Sequence, residues 1–130
     1  MQAYISISFS KRKELEKEVQ AIKNVLEIFG ISAFVFVDEY QFSSKDEKEM
    51  MQKAMEDIET SAILIAETSE KGIGIGIEAG YAKAKNIPVI YMRNAASEHS
   101  TTVSGIADFN IIYHDEKDLE EKLKNILSKI

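Results

Sequence analysis

Short apolar runs alternate with segments of helical periodicity from one end of this chain to the other, and that alternation predicts its architecture. Tyr4-Ile5-Ser6-Ile7-Ser8 reads as a first strand. Leu15, Val19, Ile22, Leu26 and Phe29 then recur at the spacing of one helix face, and Gly30 ends the run. Ala33 to Val37 reads as a second strand. Ser44-Lys45-Asp46-Glu47 has the spacing of a capping box and opens a helix whose buried face is Met50, Met51, Ala54, Met55 and Ile58. Ala62 to Ala66 is apolar throughout, the mark of a strand covered on both faces, so this third strand is expected at the centre of the sheet. A helix from Glu78 to about Lys85, strands at Pro88 to Met92 and Asn110 to Tyr113, and a closing helix marked by Leu119, Leu123, Ile126 and Leu127 complete the pattern.

Strands that alternate with helices imply a parallel sheet with helices on both faces. Five of them suggest a flavodoxin-like three-layer α/β fold in the order 2-1-3-4-5, built as a single domain over residues 1–130. Ligands of such sheets bind beyond the carboxyl ends of the strands, near the switch between strands one and three. Three loops should converge there: Ser8 to Arg12, Glu67 to Gly76, and Arg93 to Ser104. Asp38-Glu39-Tyr40 can join them from the side.

Composition narrows the partners. The chain has 130 residues, a net charge of −6 and no cysteine. The acidic balance argues against a nucleic-acid polymer, which demands a broad basic surface. It leaves room for one small phosphorylated ligand in a local basic pocket. Without cysteine there is neither a disulfide framework nor a thiolate nucleophile. No apolar run approaches the length of a membrane span, and the N-terminus lacks the pattern of a signal peptide, so the cytoplasm is the expected location and no membrane partner is expected. His99 and His114 each stand alone, without a second histidine at ligand spacing, so no metal and no cofactor is expected.

The most informative stretch is Gly72-Ile73-Gly74-Ile75-Gly76-Ile77-Glu78. Glycines let a backbone approach a ligand closely, and a carboxylate in the first turn of a helix is favoured in its ionised form by the macrodipole. Glu78 is thus a candidate nucleophile or general base beside a ligand loop of Gly72, Gly74 and Gly76. The alternative is that it merely stabilises a helix start. The predicted architecture favours the functional reading, because it brings this loop to the binding edge of the sheet. The same residues match the dinucleotide fingerprint G-x-G-x-x-G/A, but they follow the third strand rather than the first, and Glu78 would repel a pyrophosphate. A P-loop is excluded because no Gly-Lys-Ser/Thr follows. Ser8, Ser10, Lys11 and Arg12 join hydroxyls and cations at a helix start, a candidate phosphate site; read alone, they also fit an N-cap and a solvated face.

Gly74-x-Gly76-x-Glu78-x-Gly80-Tyr81-Ala82-x-Ala84, followed by Ile87-Pro88-Val89-Ile90, resembles the signature of the nucleoside 2-deoxyribosyltransferase family, which includes the 2′-deoxynucleoside 5′-monophosphate N-glycosidases. Tyr4 to Arg12 is similar to the family's opening strand and substrate loop, with serine and basic residues in place of the usual glycines. Ala62 to Glu67 is similar to its third strand, and His99 to Gly105 to its serine-and-glycine segment. The resemblance implies cleavage of an N-glycosidic bond in a nucleoside or nucleotide, with the glutamate at Glu78 attacking the anomeric carbon. It also implies a phosphate contact at Ser100 or Thr101 supplied by a neighbouring subunit, hence a homodimer or higher homo-oligomer. Two positions depart from the family pattern. An aspartate usual on the helix before the third strand falls at Ala54, and the Asp or Ser six residues before the glutamate falls at Gly72. Asp57 lies one helical turn beyond Ala54, and Asp38 or Glu39 offers another carboxylate.

Two other readings stay open at this level. One is a sensor that keeps the pocket and binds a nucleotide-derived ligand without reacting. The other is a Toll/interleukin-receptor-like domain that binds or cleaves a nicotinamide dinucleotide, for which Tyr4-Ile5-Ser6 is the superficial likeness.

Overall fold

β1 spans Gln2–Ser6, and the alternation of side chains along it decides what each sheet face carries. Ala3 and Ile5 enter one core and Tyr4 enters the other. A single 3-10 turn, Arg12–Leu15, leads into α1 (Glu16–Ile28). Gly30 ends that helix with φ at 68°, a left-handed conformation that costs glycine nothing. Then follow β2 (Ser32–Val35), a short α2 (Phe36–Glu39), α3 (Glu47–Glu59), β3 (Ile63–Glu67), α4 (Ile73–Ala84), β4 (Val89–Asn94), α5 (Thr101–Ile106), β5 (Phe109–Tyr113) and α6 (Glu116–Leu127). The computed structural model describes residues 1–43 and 45–130. Ser44, the first residue of the expected capping box, lies outside the described residues.

All five strands are parallel and run in the order β2-β1-β3-β4-β5, a flavodoxin-like sheet with β3 in the middle. Every residue of β3 is buried, as its unbroken apolar run requires. One core joins the sheet to α1 and α6 through Val19, Ile22, Leu26, Leu119 and Leu123. The other joins it to α3 and α4 through Ala54, Ile58, Ile75, Ala79 and Ala82. Among the described residues no helix is long and apolar enough to cross a membrane.

Three expectations are corrected. The second strand stops at Val35, because Phe36 to Glu39 turn into a helix that brings Phe36 over Tyr4, ring centroids 6.0 Å apart. The methionines of α3 are less buried than expected: Met50, Met51 and Met55 are only half-buried, with Met50 packed against the edge of the core, while Ala54 and Ile58 are fully buried. Most consequential, α4 begins at Ile73 and not at Glu78. Glycine costs about 1 kcal/mol per helix position relative to alanine, so Gly74 and Gly76 disguised this turn as a loop. Burial of Ile75, Ala79 and Ala82 at i, i+4 and i+7 outweighs that penalty.

Candidate active site

Strand alternation sends Tyr4 and Ser6 to the same face of β1, and α4 crosses that face. The two side chains meet Glu78 there. Ser6 Oγ donates to Glu78 Oε1 at 2.5 Å, and the Tyr4 hydroxyl donates to Oε2. Among the described residues Glu78 has no basic partner, and these two hydroxyls are its side-chain donors. Tyr4 is fully buried between Phe34 and Phe36. Burial beside Glu78 pushes its phenol far above the ordinary tyrosine value, so it stays protonated and acts as a fixed donor.

Glu78 sits in the second turn of α4, beyond the reach of the helix dipole, so its ionisation does not draw on the helix start as its place in the sequence suggests. Removal from water raises its carboxyl above the usual carboxylate range, and the hydroxyls of Ser6 and Tyr4 oppose that rise. The carboxylate is thus half-buried, held through both oxygens and without a countercharge, so its orientation is fixed by Ser6 and Tyr4.

Glu78 lines a cleft of about 780 Å³. Ile7, Ser8, Phe9 and Ser10 from the loop after β1 form one wall, and Lys71, Gly72, Gly74 and Ile75 from the start of α4 form the opposite one. Phe36, Val37, Tyr40, Phe42, Met50 and Met51 add a largely apolar group to the lining, with Gln41 among them. The volume suits one nucleotide-sized ligand. A Cβ added at Gly74 would meet nothing within 4 Å, so no protein atom explains a glycine there. The open space faces the cleft, where a ligand can come against the helix backbone. Gly74→Ala is expected to raise stability by up to ~1 kcal/mol while weakening ligand binding. Paired thermal melts and titrations check this; a gain in stability with undiminished binding would remove Gly74 from the site.

The remaining expected site residues divide between places. Ser8 and Ser10 share the cleft with Glu78, their hydroxyls 3.3 Å apart. Arg12 does not reach it. Its guanidinium makes a bidentate pair with Asp38, at 2.9 and 2.7 Å, and a further contact with Glu16 at 3.0 Å. Arg12 and Asp38 lie instead on a neighbouring surface groove with Lys13. Lys11 faces Glu14 at 3.6 Å on the exterior. Gly72 belongs both to the cleft and to a second hollow of about 410 Å³ on the other side of α4, which holds Gly76 and Ser100. Ser100 caps α5 by accepting from the Val103 amide, and Thr101 lines none of these hollows. Asp57, one helical turn beyond Ala54, is absent from the cleft wall, and its Oδ2 is buried without a partner. Tyr4, Ser6 and Lys71 were not foreseen. The spacing of Tyr4 and Ser6, two residues apart and so on one face of a strand, was the available signal.

No family model matches the chain. A protein of Syntrophotalea carbinolica, provisionally named 2′-deoxynucleoside 5′-phosphate N-hydrolase 1, is 36% identical over 75 residues, spanning 55% of this chain and 53% of that one. The chain thus matches about half the length of this curated relative. The structure of a CMP N-glycosidase from Clostridium botulinum superimposes with a TM-score of 0.71 at 18% identity, covering 97% of this chain and 99% of that one. The 2-deoxyribosyltransferase of Bacillus psychrosaccharolyticus does so with a TM-score of 0.69 at 18% identity, covering 92% and 90%. At such identities the superpositions speak for the fold.

Proposed function

We propose that this protein is an enzyme that cleaves or transfers the N-glycosidic bond of a nucleoside or nucleoside 5′-monophosphate, with Glu78 as the nucleophile. The observation that carries the reading is the Tyr4–Glu78–Ser6 arrangement on the wall of a nucleotide-sized cleft. The names of the relatives support the reaction class. In the first step a Glu78 oxygen forms a bond to the anomeric carbon as the carbon–nitrogen bond breaks. The bonding pair leaves with the base, which takes up a proton. Water, or a second base, then attacks the same carbon and releases the carboxylate, so two displacements retain the configuration. Tyr4 and Ser6 hold the carboxylate at the required angle, which is where positioning lowers a barrier. The aromatic and methionine part of the cleft lining suits a base, and Ser8, Ser10 and Lys71 suit the sugar and phosphate.

The test is incubation with a panel of nucleosides, ribo- and deoxyribonucleoside monophosphates and NAD, with released base followed by chromatography. Release from a nucleoside or monophosphate supports the reading. Binding without release replaces it by the sensor, for which the departures at Ala54 and Gly72 would be the reason. Release of nicotinamide replaces it by the dinucleotide-cleaving alternative.

The outer face of α4 supports a homodimer as the working form. Ile73 and Ile77 are 86% and 51% exposed, and Gly80 and Ala84 continue their line at helical spacing. Exposed Thr101, Thr102 and Gly105 of the adjacent α5 extend this surface without a charge. A two-fold pairing of such faces buries them and brings the α5 start of one copy toward its partner. The expected solution mass is twice 14.6 kDa, and Ile77→Lys is expected to halve it. A monomeric wild type would end this part of the proposal.

A further inference from the structure

Glu67 is the last residue of β3 and is wholly buried, yet no cation faces it among the described residues. Alternation along β3 turns it to the α1/α6 side of the sheet with Ile63 and Ile65, away from Glu78. An unpaired carboxyl in an apolar core is destabilising unless its oxygens are satisfied. Here both are. Oε1 accepts from the Ser69 amide at 2.5 Å, and Oε2 accepts from the Tyr113 hydroxyl at 2.6 Å. Ser69 Oγ in turn accepts from the Asn94 amide at 2.8 Å and lies 3.2 Å from the Tyr113 hydroxyl. The carboxyl thus ties together the carboxyl ends of β3, β4 and β5. It also fixes the turn after β3, which continues through Lys71 and Gly72 of the cleft wall into α4.

A leucine at Glu67 would fill a core position at lower cost than a carboxyl, so the fold alone does not account for it. We propose that Glu67 is a positioning residue, which holds the turn at Ser69 so that Lys71, Gly72 and the first turn of α4 face the ligand correctly. It acts from the opposite side of the sheet and touches no substrate. Where the readout is turnover, this inference rests on the proposed glycosidic reaction; where it is amide exchange, it does not.

The experiment compares Glu67→Gln, Tyr113→Phe and the double variant Glu67→Leu/Tyr113→Phe with wild type. Each is assayed for base release from deoxycytidine monophosphate and for hydrogen exchange over the segment after β3. The double variant removes the carboxyl and its hydroxyl partner together, so its melting temperature is expected to stay at or above that of wild type. Its Ser69 amide is expected to lose protection, and KM to rise about tenfold with a smaller change in kcat. Glu67→Gln keeps an acceptor for the Ser69 amide and is expected to restore most of both. Unchanged protection at Ser69 in the double variant, or KM at the wild-type value, would overturn the inference. If the double variant does not fold, protection at Ser69 in Glu67→Leu alone against Glu67→Gln decides: loss of the acceptor should loosen the turn where the amide does not, and equal protection in the two overturns the inference. A wild type that releases no base defeats only the proposed reaction, since amide exchange at Ser69 still decides whether Glu67 holds the turn.

Discussion

Glu78→Gln is expected to abolish base release while leaving ligand affinity within about tenfold, roughly 1.4 kcal/mol. The amide keeps the volume and can still accept from one of the two hydroxyls, Ser6 or Tyr4, so the cleft keeps its shape. What it loses is the charge that forms the bond to the anomeric carbon. An interaction made only in the transition state shows in kcat and kcat/KM together, with binding spared. Loss of both binding and turnover would make Glu78 a structural residue, and near-wild-type turnover would move the chemistry elsewhere.

Tyr4→Phe is expected to move the acid limb of the rate profile upward by about one to two pH units, the worth of one hydrogen bond to a charged group. The sign follows from the protonation states. Burial raises the Glu78 carboxyl, and the Tyr4 hydroxyl pulls it back by favouring the ionised form. Removing that donor lets the value climb further, so the reactive anion is lost at a higher pH. The wild-type limb should itself lie above the range of a free carboxyl, and turnover should rise with pH through it. Below the limb the variant should fall about ten- to a hundredfold behind wild type, recovering much of the difference at alkaline pH. Phenylalanine keeps the ring contacts with Phe34 and Phe36, so the fold should survive. A parallel loss at every pH would mean that Tyr4 orients Glu78 without tuning its charge.

The layer order was legible because it rests on few facts: the uninterrupted burial of Ile63 to Ala66 and the strict alternation of strands and helices. The position of Glu78 on the binding edge followed from that order. Its chemical surroundings did not, since the residues that grip it are 74 and 72 positions away and meet it only when α4 crosses β1. Arg12 shows the same limit in reverse. Near Ser8 and Ser10 it reads as a phosphate ligand, but Asp38, 26 residues on, takes its guanidinium. The start of α4 was hidden for another reason, because glycines at Gly72, Gly74 and Gly76 mask a helix that tertiary burial enforces. Met50, Met51 and Met55 share the apolar spacing of Ala54 and Ile58 but are less buried: the pattern reports a face, not how completely the fold covers it.

The central claim is a covalent relay through an enzyme carboxylate, and its stereochemical outcome tests it most directly. Turnover of a deoxyribonucleoside monophosphate in aqueous methanol yields a methyl glycoside whose anomeric configuration is read by NMR. Two displacements through Glu78 predict that the product keeps the β configuration of the substrate. An inverted α product would show water or methanol attacking directly, with Glu78 as base rather than nucleophile, and would contradict the account.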